Sequence, residues 1–421
     1  MDKLIFKSSI KGKVNAPPSK SFMQRAIALS VLAEGNTIIE NPSRCEDALA
    51  ALGIARDFGC KVSDDGKTIS IFTEKHLKPK ILYCGESGLA IRLFTPIVSL
   101  FDYPVELEAK GSLRERPADF MITPLKQLKV EVLSNNGFPP ITVKGPIEPG
   151  VAIVDGSISS QFLSGLLITL PLANGDSSLK VENLKSSPYI DMTIAAIEAF
   201  GGKIMHHEHN EYFIKGNQKY KADHYCIEGD WSGAAGLLVA GAIAGEVVVD
   251  QLSCKSTQAD LAILEALEAS GAIVERNTNS IRVKKPDTLD AFEFNALHCP
   301  DLFPVLTALA ANCKGISKIS GVHRLLHKES NRGFALKNEF NKIGIRIDFE
   351  DDKMIIEGGK ILGGEVFAHN DHRIAFALTL AALNSENPIT IEGAKCVKKT
   401  YPEFFDDMES LGVKIENVTL K

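Results

Sequence analysis

Six times along the chain a helix-like apolar run ends in the same short pattern: a residue, usually apolar, then glycine, two further positions, and Val or Ile. The clear copies are Phe58-Gly59-x-x-Val62, Phe200-Gly201-x-x-Ile204, Ile343-Gly344-x-x-Ile347 and Leu411-Gly412-x-x-Ile415. Ser270-Gly271-x-x-Val274 is weaker, and Leu128-Lys129-x-x-Val132 carries Lys in place of Gly. The second positions fall at 59, 129, 201, 271, 344 and 412, in steps of 70, 72, 70, 73 and 68 residues. Apolar residues at helical spacing precede the motif, as at Ile194, Ile197 and Phe200. Glycine supplies a left-handed C-terminal cap, and the branched residue opens a strand.

A second pattern lies upstream in each unit, where a polar, turn-forming cluster precedes a long apolar run. The clusters are Pro18-Ser19-Lys20-Ser21, Gly85-Glu86-Ser87-Gly88, Gly156-Ser157-Ile158-Ser159-Ser160-Gln161, Gly229-Asp230-Trp231-Ser232, Pro300-Asp301 and Asn370-Asp371-His372-Arg373. Ser, Asp and Asn are good N-caps. The runs that follow, such as Phe162 to Leu172 and Ile374 to Leu383, are apolar nearly all round and predict buried helices. Each unit thus reads helix, strand, helix, strand. The expected fold class is α/β, in small subdomains grouped as two sets of three, divided in the polar stretch from Gly216 to Tyr225.

Composition narrows the picture. A chain of 421 residues is long for one core, so two domains are expected. The 44% hydrophobic and 24% charged residues exclude a largely disordered chain. Lys and Arg number 47 against 53 Asp and Glu, which argues against a general nucleic-acid-coating protein. The most apolar stretch, Gly236 to Val249, is broken by Gly241, Gly245 and Glu246, so no membrane span is expected. The opening MDKLIFKSSIKGKV has no apolar core followed by a small-residue cleavage site. The eight cysteines are scattered without metal-ligand spacing, and reduced thiols in the cytoplasm are expected. His206, His207 and His209 are expected to form a solvated loop rather than a metal site.

Charged residues gather at the starts of the apolar runs. Lys20 and Arg25 flank the first, with Ser21 and Arg25 four apart on one face. Arg92 follows Gly88, Arg114 and Arg116 sit in a Gly-Ser-Leu-Arg-Glu-Arg-Pro stretch, and His327, Lys328, Glu329 and Arg332 crowd together. His372 and Arg373 open the last run, and Lys398 and Lys399 precede Tyr401-Pro402. Helix N-termini bind phosphate and carboxylate, and Arg adds bidentate recognition. Recurrence of this placement points to one deep anion pocket, although each cation alone reads as a surface charge and Glu329 alone reads as a structural partner of Arg332. Asp301 and Glu329, expected at matching helix starts in adjacent units, are candidate proton carriers.

The segments PPSKSFMQRAIALSVLAEG (17–35), GESGLAIR (85–92), RERP (114–117), DGSISSQFLSGLL (155–167), SSPYIDMT (186–193), KESNR (328–332), NDHRIAFA (370–377) and KCVKKTYPEFF (395–405) appear in order along the chain. Together they resemble the signatures of the 3-phosphoshikimate 1-carboxyvinyltransferase (EPSP synthase) family. The resemblance implies a two-domain α/β enolpyruvyl-transferase fold of six βαβαββ units, three per domain. Residues 13–226 would form one domain, and 1–12 with 227–421 the other, with the active site in the cleft between them. It also implies transfer of the enolpyruvyl group of phosphoenolpyruvate to the 5-hydroxyl of shikimate 3-phosphate, through a tetrahedral intermediate that loses phosphate. No cofactor, metal, nucleic acid or membrane is implied, and a monomer is expected.

Site roles follow from the same resemblance. Lys20 would touch both substrates and belong to the catalytic set. Ser21 and Arg25 would hold the shikimate carboxylate, while Ser159, Ser160, Ser186 and Lys328 would grip its phosphate. Gln161 and Tyr189 would position the shikimate ring and the enolpyruvyl group, with Gln161 counted also among the phosphoenolpyruvate-binding residues. Gly88, Arg116, Arg332, Arg373 and Lys399 would bind phosphoenolpyruvate, with His372 nearby. Asp301 would take the 5-hydroxyl proton and Glu329 would deliver and recover the methyl proton. The chain departs from the family pattern at Glu86 (usually Asn), Leu89 (usually Thr) and Asn331 (usually Asp), and it lacks the usual Arg two residues before Lys328. UDP-N-acetylglucosamine enolpyruvyl transferase is the nearest alternative. It usually carries a reactive Cys or an Asp in the loop before Arg-Pro, and Gly111–Pro117 has neither there. A non-catalytic binding homologue would be expected to lose Lys20, Asp301 or Glu329.

Overall fold

A computed structural model describes residues 2–74, 77–326 and 328–418, so His327 lies outside the described residues. The helices that matter here are α1 (Lys20–Leu32), α2 (Glu46–Asp57), α3 (Gly88–Val98), α4 (Ile122–Gln127), α5 (Ser160–Thr169) and α6 (Pro188–Ala199). They are followed by α7 (Trp231–Ala244), α8 (Ile263–Ala269), α9 (Phe303–Ala311), α10 (Arg332–Lys342), α11 (His372–Ala382) and α12 (Phe404–Ser410). The chain divides into two compact units, Pro18–Glu228 and Met1–Pro17 with Gly229–Lys421. Each has its own apolar core.

Among the described residues, six four-stranded sheets carry the repeat, three in each unit. The fifth repeat shows the plan without interruption: Glu293–Asn295, α9, Gly315–Ser320, α10, Arg346–Glu350, Lys353–Gly358. The first strand lies parallel to the second, and the closing hairpin folds back antiparallel onto it. Three sheets borrow a strand from elsewhere in the chain. His224–Cys226 runs parallel to Gly35–Glu40 and completes the first sheet. Ile10–Asn15 runs parallel to Gly245–Asp250 in the fourth. Asp2–Ile5 lies between Ile389–Glu392 and Ile415–Val418 in the sixth.

These borrowed strands move the division away from the positions read in the sequence. Ile10–Asn15 belongs wholly to the fourth sheet, so the first crossing falls after Pro17 rather than after residue 12. His224–Cys226 still belongs to the first sheet, so the second falls after Glu228 rather than between Gly216 and Tyr225 or after residue 226.

The six repeat motifs all turn the chain the same way. Gly59, Gly201, Gly271, Gly344 and Gly412 have φ of 96°, 81°, 82°, 90° and 104°. Lys129, the odd member, takes φ 64° in the same place. The first helix of each repeat (α1, α3, α5, α7, α9, α11) is buried along almost its whole length. Five of the six start with the expected side-chain cap. Ser19, Ser87, Ser159, Asp230 and Asp371 accept from the backbone N–H of Phe22, Ala90, Gln161, Gly233 and Arg373. Asp301 is the exception, because it sits in a 3-10 turn, Pro300–Leu302, and turns its carboxylate to cations instead. The helix expected to reach Leu172 ends at Thr169, and Leu170–Leu172 tightens into a 3-10 turn containing Pro171. His206 and His207 lie on a strand, Met205–His207, rather than in a loop, and the rings of His206 and His209 stack at 4.4 Å.

Candidate active site

In the unit Pro18–Glu228 the starts of α1, α3 and α5 are tied together by side chains. Gly165 lets α5 approach α3 closely, since a Cβ there would stand 2.7 Å from the Arg92 carbonyl oxygen. Ser87 Oγ, the cap of α3, donates to Gln24 Oε1 on α1 at 2.9 Å. Arg92 Nη1 on α3 donates to Gln161 Oε1 on α5 at 2.7 Å. With its carbonyl oxygen held there, Gln161 presents its NH₂ as a donor.

Arg25 is buried and held on every side. Its Nε donates to Thr193 Oγ1 at 2.8 Å, Nη2 to the Tyr189 carbonyl at 2.9 Å, and Nη1 to the Ser21 carbonyl at 2.9 Å. Ser21 and Arg25, read as sharing one face of the helix, are joined through the Ser21 backbone carbonyl. Burial lowers the Arg25 pKa to about 10, so it remains a cation at neutral pH. Lys20, first in α1, pairs with Asp47 of α2 at 3.1 Å. Ser159, Ser160 and Ser186 are buried, and Ser186 adopts φ 59° two residues before the start of α6.

Gly88 and Arg116 meet. A Cβ at Gly88 would stand 2.9 Å from Arg116 Nη1 and 3.5 Å from Arg92 Nη1. Glu86, a carboxylate where anions are expected, packs its oxygens onto Gly111 and accepts from Ser112 Oγ at 3.4 Å.

In the other unit, the centre is Arg332 at the start of α10, 1% exposed. Nε donates to Asp371 Oδ2 at 2.8 Å, Nη1 to Asp301 Oδ1 at 2.7 Å, and Nη2 to Glu329 Oε2 at 2.6 Å. Three carboxylates make burial of this guanidinium tolerable, and they raise its pKa well above the ordinary value against the effect of burial. Lys328 Nζ adds a bond to Asp301 at 3.1 Å. Burial pushes the Asp301 carboxyl up, but Lys328, Arg373 and Arg332 outweigh it and hold it well below the usual range. Burial lowers the Lys328 pKa, with Asp301 opposing.

Asp371 both caps α11 and anchors Arg332, and it accepts from Ser330 Oγ at 3.0 Å. His372 and Arg373 follow in the first turn of α11, both buried. Arg373 Nη2 lies 3.5 Å from Asp301 Oδ2, and Nη1 donates to the Ser232 carbonyl on α7 at 3.3 Å. Lys399 is buried at the end of a 3-10 turn, Ala394–Lys399, that packs on α11. Asp301 and Glu329 stand at the starts of the two helices of one repeat, the fifth, and not in adjacent repeats as read from the sequence.

Several partners went unassigned in the sequence. Asp47, Ser164 and Thr193 hold Lys20 and Arg25, and Asp260, Ser232 and Asp371 surround Arg332 and Arg373. Most lie far from their partners in sequence, so spacing carries no signal for them. Asp371 was readable only as a cap. Among the described residues no group of three His, Cys, Asp or Glu side chains is arranged to hold a metal ion, and no helix is long and apolar enough to cross a membrane.

The family model for EPSP synthase (3-phosphoshikimate 1-carboxyvinyltransferase) matches residues 6–408. The chain belongs to the EPSP synthase family. It is 36% identical over 418 residues to the 3-phosphoshikimate 1-carboxyvinyltransferase of Clostridium botulinum, covering 97% of this chain and 96% of the relative. The enzyme of that name from Thermococcus kodakarensis is 40% identical over 405 residues, covering 96% and 98%. A solved structure of EPSP synthase from Acinetobacter baumannii superposes with a TM-score of 0.84 at 27% identity, covering 99% of this chain and all of that one. The enolpyruvyl transferase NikO from Streptomyces tendae, at 17% identity and a TM-score of 0.81 over 99% and 98% of the chains, shares the fold. The α/β fold of the EPSP synthase family, with its paired repeat units, is thus the fold of this chain.

Proposed function

We propose that the protein transfers the enolpyruvyl group of phosphoenolpyruvate to the 5-hydroxyl of shikimate 3-phosphate, releasing phosphate, on the route to chorismate and the aromatic amino acids. Two carboxylates bound to one buried arginine carry the reading: Asp301 and Glu329 on Arg332 form an acid–base pair built around an anion-binding group. UDP-N-acetylglucosamine transfer is the less favoured acceptor reading, given the full-length likeness to the shikimate enzymes.

The 5-hydroxyl oxygen bonds to C2 of phosphoenolpyruvate while its proton passes to Asp301. Glu329 gives a proton to C3, which becomes the methyl carbon of the tetrahedral intermediate. Glu329 then takes a proton back from that methyl group as the C2–phosphate bond breaks, and the proton held by Asp301 passes to the departing phosphate. The cations control when this can happen. Substrate anions that engage Lys328, Arg332 and Arg373 weaken the hold of those groups on Asp301, and its basicity rises. Glu329 can carry a proton only when its ion pair with Arg332 gives way. Both changes wait for the substrate.

Lys20, Ser21, Arg25, Ser159, Ser160, Gln161, Ser186, Tyr189, Asp301 and Lys328 are proposed for shikimate 3-phosphate. Lys20, Gly88, Arg116, Gln161, Arg332, His372, Arg373 and Lys399 are proposed for phosphoenolpyruvate. The two sets draw on both units, so the reaction needs the whole chain. The enzyme is proposed to act as a monomer in the cytoplasm.

Phosphate release from phosphoenolpyruvate by the purified protein tests this, with shikimate 3-phosphate or UDP-N-acetylglucosamine as acceptor. Release with shikimate 3-phosphate alone, lost in Glu329→Ala, is expected. Release with the sugar nucleotide alone would move the acceptor assignment, and release with neither would remove the activity.

A further inference from the structure

Asp260 is a buried carboxylate that the proposed mechanism does not use. It stands in the 3-10 turn Ala259–Ala262 of the fourth repeat and is 2% exposed. Oδ2 accepts from Ser232 Oγ, and Oδ1 has no hydrogen-bond partner among the described residues. A turn aspartate normally caps its own backbone. The hydrogen bond of Asp260 goes instead to another element, the first turn of α7.

Ser232 in turn supports Arg373. Its carbonyl accepts from Arg373 Nη1 at 3.3 Å, while Nη2 has only a 3.5 Å approach to Asp301 and Nε is unpartnered among the described residues. The contrast with Arg332, clamped by bonds of 2.6–2.8 Å to three carboxylates, is large. Arg373 therefore has donors to offer, and its aim depends on where the Ser232 backbone is held.

We propose that Asp260 is a positioning residue for phosphoenolpyruvate, fixing the first turn of α7 through Ser232 so that Arg373 points at the substrate anion. This rests on the functional reading above. A positioning role of this kind predicts a selective effect, because Arg373 is assigned to one substrate only.

The test is steady-state kinetics of the full-length enzyme and four variants: Asp260→Ala, Asp260→Asn, Ser232→Ala and the double Asp260→Ala/Ser232→Ala. Asp260→Ala should raise the KM for phosphoenolpyruvate roughly tenfold, the effect of one lost hydrogen bond at a buried site, and leave the KM for shikimate 3-phosphate within about twofold. Asp260→Asn, whose amide oxygen can still accept from Ser232, should restore the value to within about threefold. Ser232→Ala should match Asp260→Ala, and the double variant should be no worse than either. Equal rises in both KM values, an additive double variant, or an Asn variant as impaired as Ala would overturn the proposal. If Asp260→Ala does not fold, Ser232→Ala decides by the same criteria. No turnover by the wild-type enzyme sinks the functional reading and this inference together. Turnover with an unchanged phosphoenolpyruvate KM in the variants sinks the inference alone.

Discussion

Arg332 Nη2 donates to Glu329 Oε2 at 2.6 Å, so the arginine assigned to phosphoenolpyruvate and the carboxylate assigned to its methylene proton are bound to each other. Asp371 and Asp301 take most of the remaining donors of the guanidinium. The expected consequence is a split between two variants. Glu329→Gln removes the proton carrier but keeps an acceptor for Arg332, so kcat should fall by about 10²–10⁴ with the phosphoenolpyruvate KM little changed. Arg332→Lys cannot reproduce the planar fork and leaves buried Asp371 poorly compensated. It should lose both KM and stability, the latter by about 3–5 kcal/mol. Phosphate-release kinetics and urea unfolding of the two variants check this, and a Glu329→Gln enzyme with normal kcat would remove Glu329 from the chemistry.

Much of the architecture was legible because it is local. The six helix ends follow from glycine at fixed distance after an apolar run, and the helix starts follow from Ser and Asp caps. What was not legible is non-local. Nothing in the sequence of Asp2–Ile5 says that it closes the sixth sheet, or that His224–Cys226 closes the first. The site divides in the same way. Arg25 was visible from its helix, but Thr193, which takes its Nε–H from 168 residues away, was not. Asp301 and Glu329 were both visible, yet their common repeat was misread, because the repeat boundary depends on strand pairing.

Lys129 shows how strong the repeat geometry is. It is exposed and holds φ 64° where five other repeats have glycine. A side chain in this left-handed region costs about 1–2 kcal/mol, while glycine gives back up to about 1 kcal/mol in unfolded-state entropy. Lys129→Gly should therefore stabilise the protein by up to about 1 kcal/mol without altering turnover. A shift of the urea midpoint to higher concentration at unchanged m-value is the expected result. A destabilised variant would show that the lysine side chain contributes packing that outweighs the backbone strain.

Gly88 is constrained by what faces it. The 2.9 Å approach of a Cβ to Arg116 Nη1 means that Gly88→Ala must push the guanidinium aside, which a flexible side chain allows without unfolding. The expected outcome is a KM for phosphoenolpyruvate raised by about 10-fold or more, with Tm nearly unchanged, since displacement of about 1 Å at a binding group is enough for losses of this order. An unaltered KM would place Arg116 outside the phosphoenolpyruvate site.

The buried Asp260 carboxyl gives the stability of the protein a pH dependence opposite to that of Asp301. Burial first, and then the neighbouring Asp301, push its pKa up from 3.8 to about 6, while Arg373 and Ser232 oppose and Asp230 adds to the rise. The folded state thus binds this proton more tightly than the unfolded state. Above pH 6 the ionised group disfavours the fold by about 3 kcal/mol, and the penalty shrinks as pH falls from 6 towards 4. Asp301, held low by Lys328, Arg373 and Arg332, contributes stability above the unfolded carboxyl pKa that is lost as pH falls further. Asp260→Asn removes only the first effect. Its unfolding free energy should exceed that of the wild type by about 1–3 kcal/mol at pH 7.5, and the two curves should converge near pH 4. Urea unfolding at half-unit pH steps would show this directly. A gap that does not close on acidification would mean that folding does not raise the Asp260 pKa and that the difference has another source, and a variant less stable at pH 7.5 would mean that its charge is compensated by Arg373.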